Sequence, residues 1–239
     1  MTVLAWDTAT DRCAAALISW RSGETEILAE YAGGPGLPSQ LLPPQAARML
    51  AAARLAPANL DILVVGRGPG GFTGLRTGLA LAKGLALGSG RPVLGLGTLE
   101  VLAAQILASE PDPEALAAPV IDARHGEVFT ALYSRKGQVR PPAALPPGEL
   151  PAVLGAASGG RPVRVDGPAR PLVQAALAGS EFRPGSGEAR PVSAVVLAGL
   201  GAEIFQAEPE AVRLHPPLPI YIRAPALRPP AGKCKNERL

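Results

Sequence analysis

Apolar and polar positions fall into short blocks along the first third of the chain. Residues 3 to 6, 13 to 18 and 26 to 32 are runs rich in apolar side chains, separated by the turn signals Asp11-Arg12 and Ser22-Gly23, and they predict three strands. The stretch from Gln40 to Arg54 has helical spacing. Ser39 is placed to cap it, and Pro43 and Pro44 are tolerable only in a first turn, where their missing amides are not needed. Residues 62 to 66, 74 to 88, 92 to 96 and 98 to 108 then predict strand, helix, strand and helix, so the first half reads βββαβαβα.

The second half repeats this order without repeating the sequence. Strands are expected near 119 to 122, 127 to 133, 137 to 140 and 162 to 166. Helices are expected near 147 to 156, 169 to 178 and 193 to 206, the last capped by Ser193. Segments 108 to 118, 141 to 148 and 183 to 191, rich in proline, glycine and small residues, read as loops. Two βββαβα units in tandem predict an α/β chain of two ribonuclease-H-like lobes in the actin-like arrangement, with a cleft between them. The expected division is a first lobe over 1–108, a second over 109–225 and a disordered tail over 226–239.

The helix predicted at 74 to 88 stands apart because it has no polar back. Leu75, Leu79, Ala82 and Ala86 share one side, Leu81 and Leu85 a second, and only Arg76, Thr77 and Lys83 interrupt. One face can pack on the domain's own sheet, and the other is expected to meet a second domain or another protein.

Composition narrows the classes of function. Of 239 residues, 18 % are charged and the net charge is only +3, too little for a basic stripe that neutralises many phosphates. No apolar run reaches the ~20 residues needed to span a bilayer, and Met1 to Thr10 lacks a basic leader, so a cytoplasmic protein without membrane contact is expected. Cys13 and Cys234 have no CxxC spacing, and His125 and His215 are too few for a histidine-rich metal centre. No metal and no cofactor are expected.

Three groups of residues are candidates for chemistry. Gly66, Gly68 and Gly71 satisfy GxGxxG between a strand and a helix, yet no acidic residue lies between Asp61 and Glu100 to hold a ribose, and no lysine follows as in a Walker loop. Backbone amides here could hold an anion, or the glycines could serve a tight strand-to-helix crossing. Asp7 ends the first strand, where an actin-like ATPase holds magnesium, but the hairpin glycine expected two residues later is Ala9. A degenerate nucleotide or phosphate site would therefore comprise Asp7, Thr8, Gly68, Gly70, Gly71 and Thr73. Asp122, Arg124, His125 and Glu127 could do acid-base work, or form a salt-bridged solvated turn. No serine or cysteine has the setting of a hydrolytic nucleophile.

The motifs DTAT at 7 to 10, SQLLPP at 39 to 44, GRGPGGFTGLRTGLALAKGLALG at 66 to 88, LGTLEVLA at 96 to 103, IDARHGEV at 121 to 128 and IYIRAP at 220 to 225 together resemble the TsaB, or YeaZ, family of bacterial tRNA threonylcarbamoyladenosine biosynthesis proteins. The resemblance implies a noncatalytic paralogue of the TsaD transferase that works with TsaD and the ATPase TsaE to modify the adenosine beside the anticodon. The tRNA would be met indirectly through the complex, and the chain alone would form a homodimer. TsaD carries two metal-binding histidines four residues apart in the related segment, and Thr98 and Leu102 stand there. Without that pair, a metalloprotease reading also fails. The family pairs through its first two helices, which implies partner contacts at Leu41, Leu42, Ala46, Met49, Leu50, Leu75, Arg76, Leu79 and Lys83. Pro38 stands where the family often has histidine. The competing reading is an actin-like ATPase or phosphotransferase with its site between the lobes.

Overall fold

A computed structural model describes residues 1–34 and 38–223, with the backbone alone for 38–40. The expected tail 226–239 lies outside the described residues. The first sheet is built from β1 (Thr2–Asp7), β2 (Ala14–Arg21), β3 (Glu24–Ala32), β4 (Ile62–Gly66) and β5 (Val93–Leu96), in the order β3-β2-β1-β4-β5. The second contains β6 (Leu116–Arg124), β7 (Glu127–Ser134), β8 (Gly137–Leu145), β9 (Val163–Asp166) and β10 (Arg183–Pro184), in the order β10-β9-β6-β7-β8. Read from the other edge, that is the same order. In both sheets the first three strands are antiparallel and the last three parallel, so the two lobes are topological copies.

Seven α-helices complete the described fold: α1 (Pro38–Ala52), α2 (Phe72–Ser89), α3 (Thr98–Ala108), α4 (Leu150–Ser158), α5 (Arg170–Leu177), α6 (Ala194–Ala207) and α7 (Ala211–Leu214). They form layers around the sheets. The alternation of β1 sends Leu4 and Trp6 toward Leu42, Met49, Leu75 and Leu79 of α1 and α2. Val3 and Ala5 point the other way, into a core shared with Leu102 and Ile106 of α3 and Leu197 and Ala198 of α6. The same core takes in Ile121, Phe129 and Tyr133 from the second sheet, so α3 and α6 are sandwiched between the lobes. Leu154 of α4 and Val173 of α5 cover the far face of the second sheet. Helix α6 follows the second sheet in sequence yet packs on the first.

Several local expectations need correction. Helix α1 starts at Pro38, which puts Ser39 inside the first turn instead of before it, and Pro43 and Pro44 lie beyond that turn. Each proline removes one i to i−4 bond there, and Leu42, Ala46, Met49 and Leu50 hold the helix by burial against the sheet. Strand β8 runs through Pro141 and Pro142, read as loop, because an edge strand can leave an amide position unpaired. The segment read as loop at 183 to 191 contributes β10, and α7 was not expected at all; both are too short to show a period. Ser193 caps α6 as expected, its Oγ accepting from Val196 N at 3.3 Å.

Candidate functional site

Asp7 is the last residue of β1 and is fully buried. Its Oδ2 accepts a 2.6 Å hydrogen bond from Thr98 Oγ1, and its Oδ1 accepts one of 2.8 Å from Ala9 N. Thr98 opens α3. Its amide donates to Gly68 O at 2.8 Å, and its hydroxyl oxygen accepts from Gly68 N at 3.2 Å. One polar knot therefore ties the end of β1, the glycine turn after β4 and the start of α3. Burial pushes the Asp7 carboxyl above its ordinary value, and the bonds from Thr98 and Ala9 oppose that shift. The neighbouring Cys13 thiol is pushed up to about 12, by burial first and by the Asp7 charge second.

The glycine turn is closed by the β1–β2 hairpin. Gly71 N donates to Ala9 O at 2.6 Å, and Thr8 Oγ1 donates to Gly74 O at 2.8 Å. A Cβ at Gly70 would lie 2.7 Å from the Ala9 Cβ, one at Gly74 would press on the Thr8 carbonyl oxygen, and one at Gly78 on the Thr8 hydroxyl. These glycines thus serve close packing of protein on protein, and the Gly71 amide is spent on Ala9. Asp7, Thr8, Gly68, Gly70 and Gly71 do come together, whereas Thr73 stands exposed on the first turn of α2. Thr98 and Leu102 are both fully buried. Among the described residues, no group of three or more His, Cys, Asp or Glu is placed to hold a metal ion.

Between the lobes lies a cleft of about 530 Å³, walled by Phe72 and Asp11 from the first and by Asp122, His125 and Leu172 from the second. Asp122 accepts from Arg124 N at 2.7 Å and pairs with the Arg124 guanidinium at 3.1 Å, with both side chains well exposed. Arg124 and His125 take left-handed backbone (φ 64° and 54°), continued by Gly126, so the β6–β7 hairpin turns as tightly as two strands allow. Glu127 pairs with Arg223. Asp122 and Arg124 thus pair within the turn, Glu127 pairs outside it, and His125 lines the cleft beside them.

The nine residues expected to meet a partner divide sharply. Leu42, Ala46, Met49, Leu50, Leu75 and Leu79 are buried against the first sheet and cannot be reached without opening the core, which corrects their assignment as contacts. Leu41 (48 % exposed), Arg76 and Lys83 face outward. With Arg76 and Lys83 on α2 stand Ala80, Gly84 and Leu87, the last 90 % exposed. The spacing of 76, 80, 84 and 87 puts them on one stripe opposite Leu75 and Leu79. The sequence reading reaches Arg76 and Lys83 but not Ala80, Gly84 and Leu87, although their i, i+3 and i+4 spacing was there to find.

Three comparisons bear on this geometry. The family model described as TsaD: tRNA N6-adenosine threonylcarbamoyltransferase matches residues 39–151. The tRNA threonylcarbamoyladenosine biosynthesis protein TsaB of Escherichia coli is 38% identical over 135 residues, 56% of this chain and 56% of that protein. TsaB of Bacillus subtilis is 36% identical over 143 residues, 57% and 56% of the two chains. The chain spans about half the length of the curated relatives it matches. Among solved structures, YeaZ from Pseudomonas aeruginosa superposes with a TM-score of 0.69 at 27% identity, covering 92% of this chain and 100% of that one. A second, described as an uncharacterized protein with similarity to peptidase YEAZ from the same organism, gives a TM-score of 0.69 at 28% identity, covering 93% and 99%. The resemblance read from the motifs is borne out in sequence over somewhat more than half of the chain, and in fold over nearly all of it.

Proposed function

We propose, from this likeness to TsaB and YeaZ proteins, that the chain is a noncatalytic partner of a TsaD-type transferase in tRNA threonylcarbamoyladenosine biosynthesis, working in the cytoplasm alongside a TsaE-type ATPase. The observation that carries the noncatalytic reading is the knot of Asp7, Thr98 and Gly68. A carboxylate that would face magnesium is instead enclosed, each oxygen accepting one hydrogen bond, from a threonine hydroxyl and from a backbone amide. The hairpin that would bend around a phosphate lies against the glycine turn through Ala9.

Docking would use the outward sides of α1 and α2: Leu41, Arg76, Ala80, Lys83, Gly84 and Leu87. Small residues along α2 let a partner helix approach closely, and Leu87 supplies an apolar anchor. A standard interface buries about 1,600 Å² in total, which two helices from each side can reach. The same face would serve the homodimer when the partner is absent, and the tRNA would be met through the complex. Mixing the chain with a TsaD-type transferase and measuring Kd tests this. Leu87→Asp should weaken association at least tenfold while leaving the fold intact, and equal affinity would remove the surface.

The interlobe cleft favours a second reading, an actin-like ATPase or phosphotransferase. Calorimetry of the chain with magnesium and ATP separates the two. Micromolar binding would favour the second.

A further inference from the structure

The last described segment is a strap across the cleft. After α7, His215 O accepts from Gly95 N at 2.8 Å, and Ile220 N donates to Arg67 O at 2.8 Å, so residues 215–220 run over the ends of β5 and β4. A Cβ at Gly95 would lie 2.8 Å from Pro216 O, so the crossing needs glycine there. The Tyr221 ring then lies against Phe72, centroids 5.7 Å apart and planes inclined by 32°. Its hydroxyl accepts from Arg76 Nε at 3.2 Å, while the Arg76 guanidinium sits 3.8 Å above the Phe72 ring. Two residues on, Arg223 pairs with Glu127 at the start of β7, in the other lobe.

The lobes are thus joined at two places. At the base, α3 and α6 and the core they share with both sheets make a fixed connection. At the mouth the connection is this strap, whose contacts with α2 and β7 are made by partly exposed side chains, with Phe72 38 % and Tyr221 41 % exposed. Contacts of that kind open without unfolding the domains they join. We infer that residues 215–223 are a latch that sets how far the cleft opens, with Phe72, Arg76 and Tyr221 as its catch on the first lobe and the Arg223–Glu127 pair as its catch on the second. The latch does not depend on the partnership proposed above, and either could fail alone.

Spin-label distances across the mouth test it in the full chain. Nitroxides are placed at Arg12→Cys on the β1–β2 hairpin and at Gln174→Cys on α5, both exposed, with Cys234→Ser in the background and Cys13 buried. The parent should give one narrow distance distribution. Tyr221→Ala and Arg223→Glu should each broaden it toward longer distances, and Tyr221→Phe, which keeps the ring, should do so less. The charge swap Glu127→Arg with Arg223→Glu should narrow it again. Circular dichroism checks folding, and should Tyr221→Ala not fold, Arg223→Glu and its swap decide. A distribution unchanged by Arg223→Glu, or a broadening that the swap leaves uncorrected, overturns the latch.

Discussion

Two glycines ten residues apart on the same helix should respond to alanine in opposite ways. Gly74 lies on the first turns of α2, where a Cβ would press on the Thr8 carbonyl oxygen, a backbone atom that cannot rotate away. Overfilling a packed site costs about 1–3 kcal/mol. Displacing α2 also strains the Thr8 Oγ1 to Gly74 O bond, which contributes about 1 kcal/mol. Against this stands the gain from replacing glycine within a helix, about 0.5–1 kcal/mol. The net effect of Gly74→Ala is a loss of about 1–3 kcal/mol. At Gly84 no atom lies within 4 Å of the added Cβ, and the helical gain stands alone. Gly84→Ala should therefore stabilise by about 0.5–1 kcal/mol. For a chain of this length 1 kcal/mol moves Tm by about 2–4 °C, so thermal unfolding followed by circular dichroism separates the variants, and urea unfolding with unchanged m checks that only stability moved. Should Gly74→Ala match the parent, the hairpin does not lie on α2 as described. Should Gly84→Ala destabilise, the outward stripe is covered in the isolated chain.

The Asp7 carboxyl makes stability depend on pH in a direction opposite to that of an ordinary salt-bridged acid. Below its ordinary value of 3.8 it is neutral in both states; above that value the unfolded chain ionises while the folded chain resists, so stability falls as pH rises until the folded value is passed. Asp7→Asn should flatten that fall in urea midpoints measured from acid to neutral pH, and an unchanged slope would show the carboxyl to be unperturbed. Asp166, at the end of β9, is buried and pairs at 3.2 Å with both Arg170 and Arg190. Asp166→Ala leaves buried Arg170 without its counter-charge and should cost about 3–5 kcal/mol. Arg124→Ala breaks a pair whose side chains are 70% and 39% exposed and should cost under about 1 kcal/mol in the same urea titration. Equal losses for the two would contradict the burial described.

The repeated strand order was legible because apolar runs such as 13 to 18 and 62 to 66 lie beside clear turns, whereas residues 116 to 118, expected to be loop, belong to β6. The same logic found α2 and α3 nearly to the residue. It could not say which side of α2 turns inward, because both sides carry leucine. The first sheet takes Leu75 and Leu79 fully, and Leu81 and Leu85 pack half-buried against the same core. The close approach of Thr8 to Gly74 spans 66 residues of sequence, and no local period encodes it. The strap was equally hidden, since Arg76 and Tyr221 are 145 residues apart.

Helix α2 joins the closed site and the proposed docking face in one rigid body. Its inward glycines let it lie against Thr8, and Trp6 Nε1 donates to Gly78 O at 3.0 Å, so a carbonyl in the middle of the helix is tied to the central strand. A phosphate held at the glycine turn would require the Gly71 amide to leave Ala9. Here Ala9 takes the Gly71 amide and Asp7 takes the Thr98 hydroxyl, so the groups that would respond to a ligand hold the helix still instead. A helix immobilised in this way loses little further freedom when a second protein covers its outer side, and a docking surface gains affinity by avoiding that cost. On this argument the polar knot and the outward stripe are two consequences of one arrangement. Thr98→Ala, which releases Asp7 and the Gly68 amide together, should then weaken partner binding although Thr98 touches no part of the stripe. If calorimetry gives the same Kd for Thr98→Ala as for the parent, the stiffness of α2 plays no part in docking.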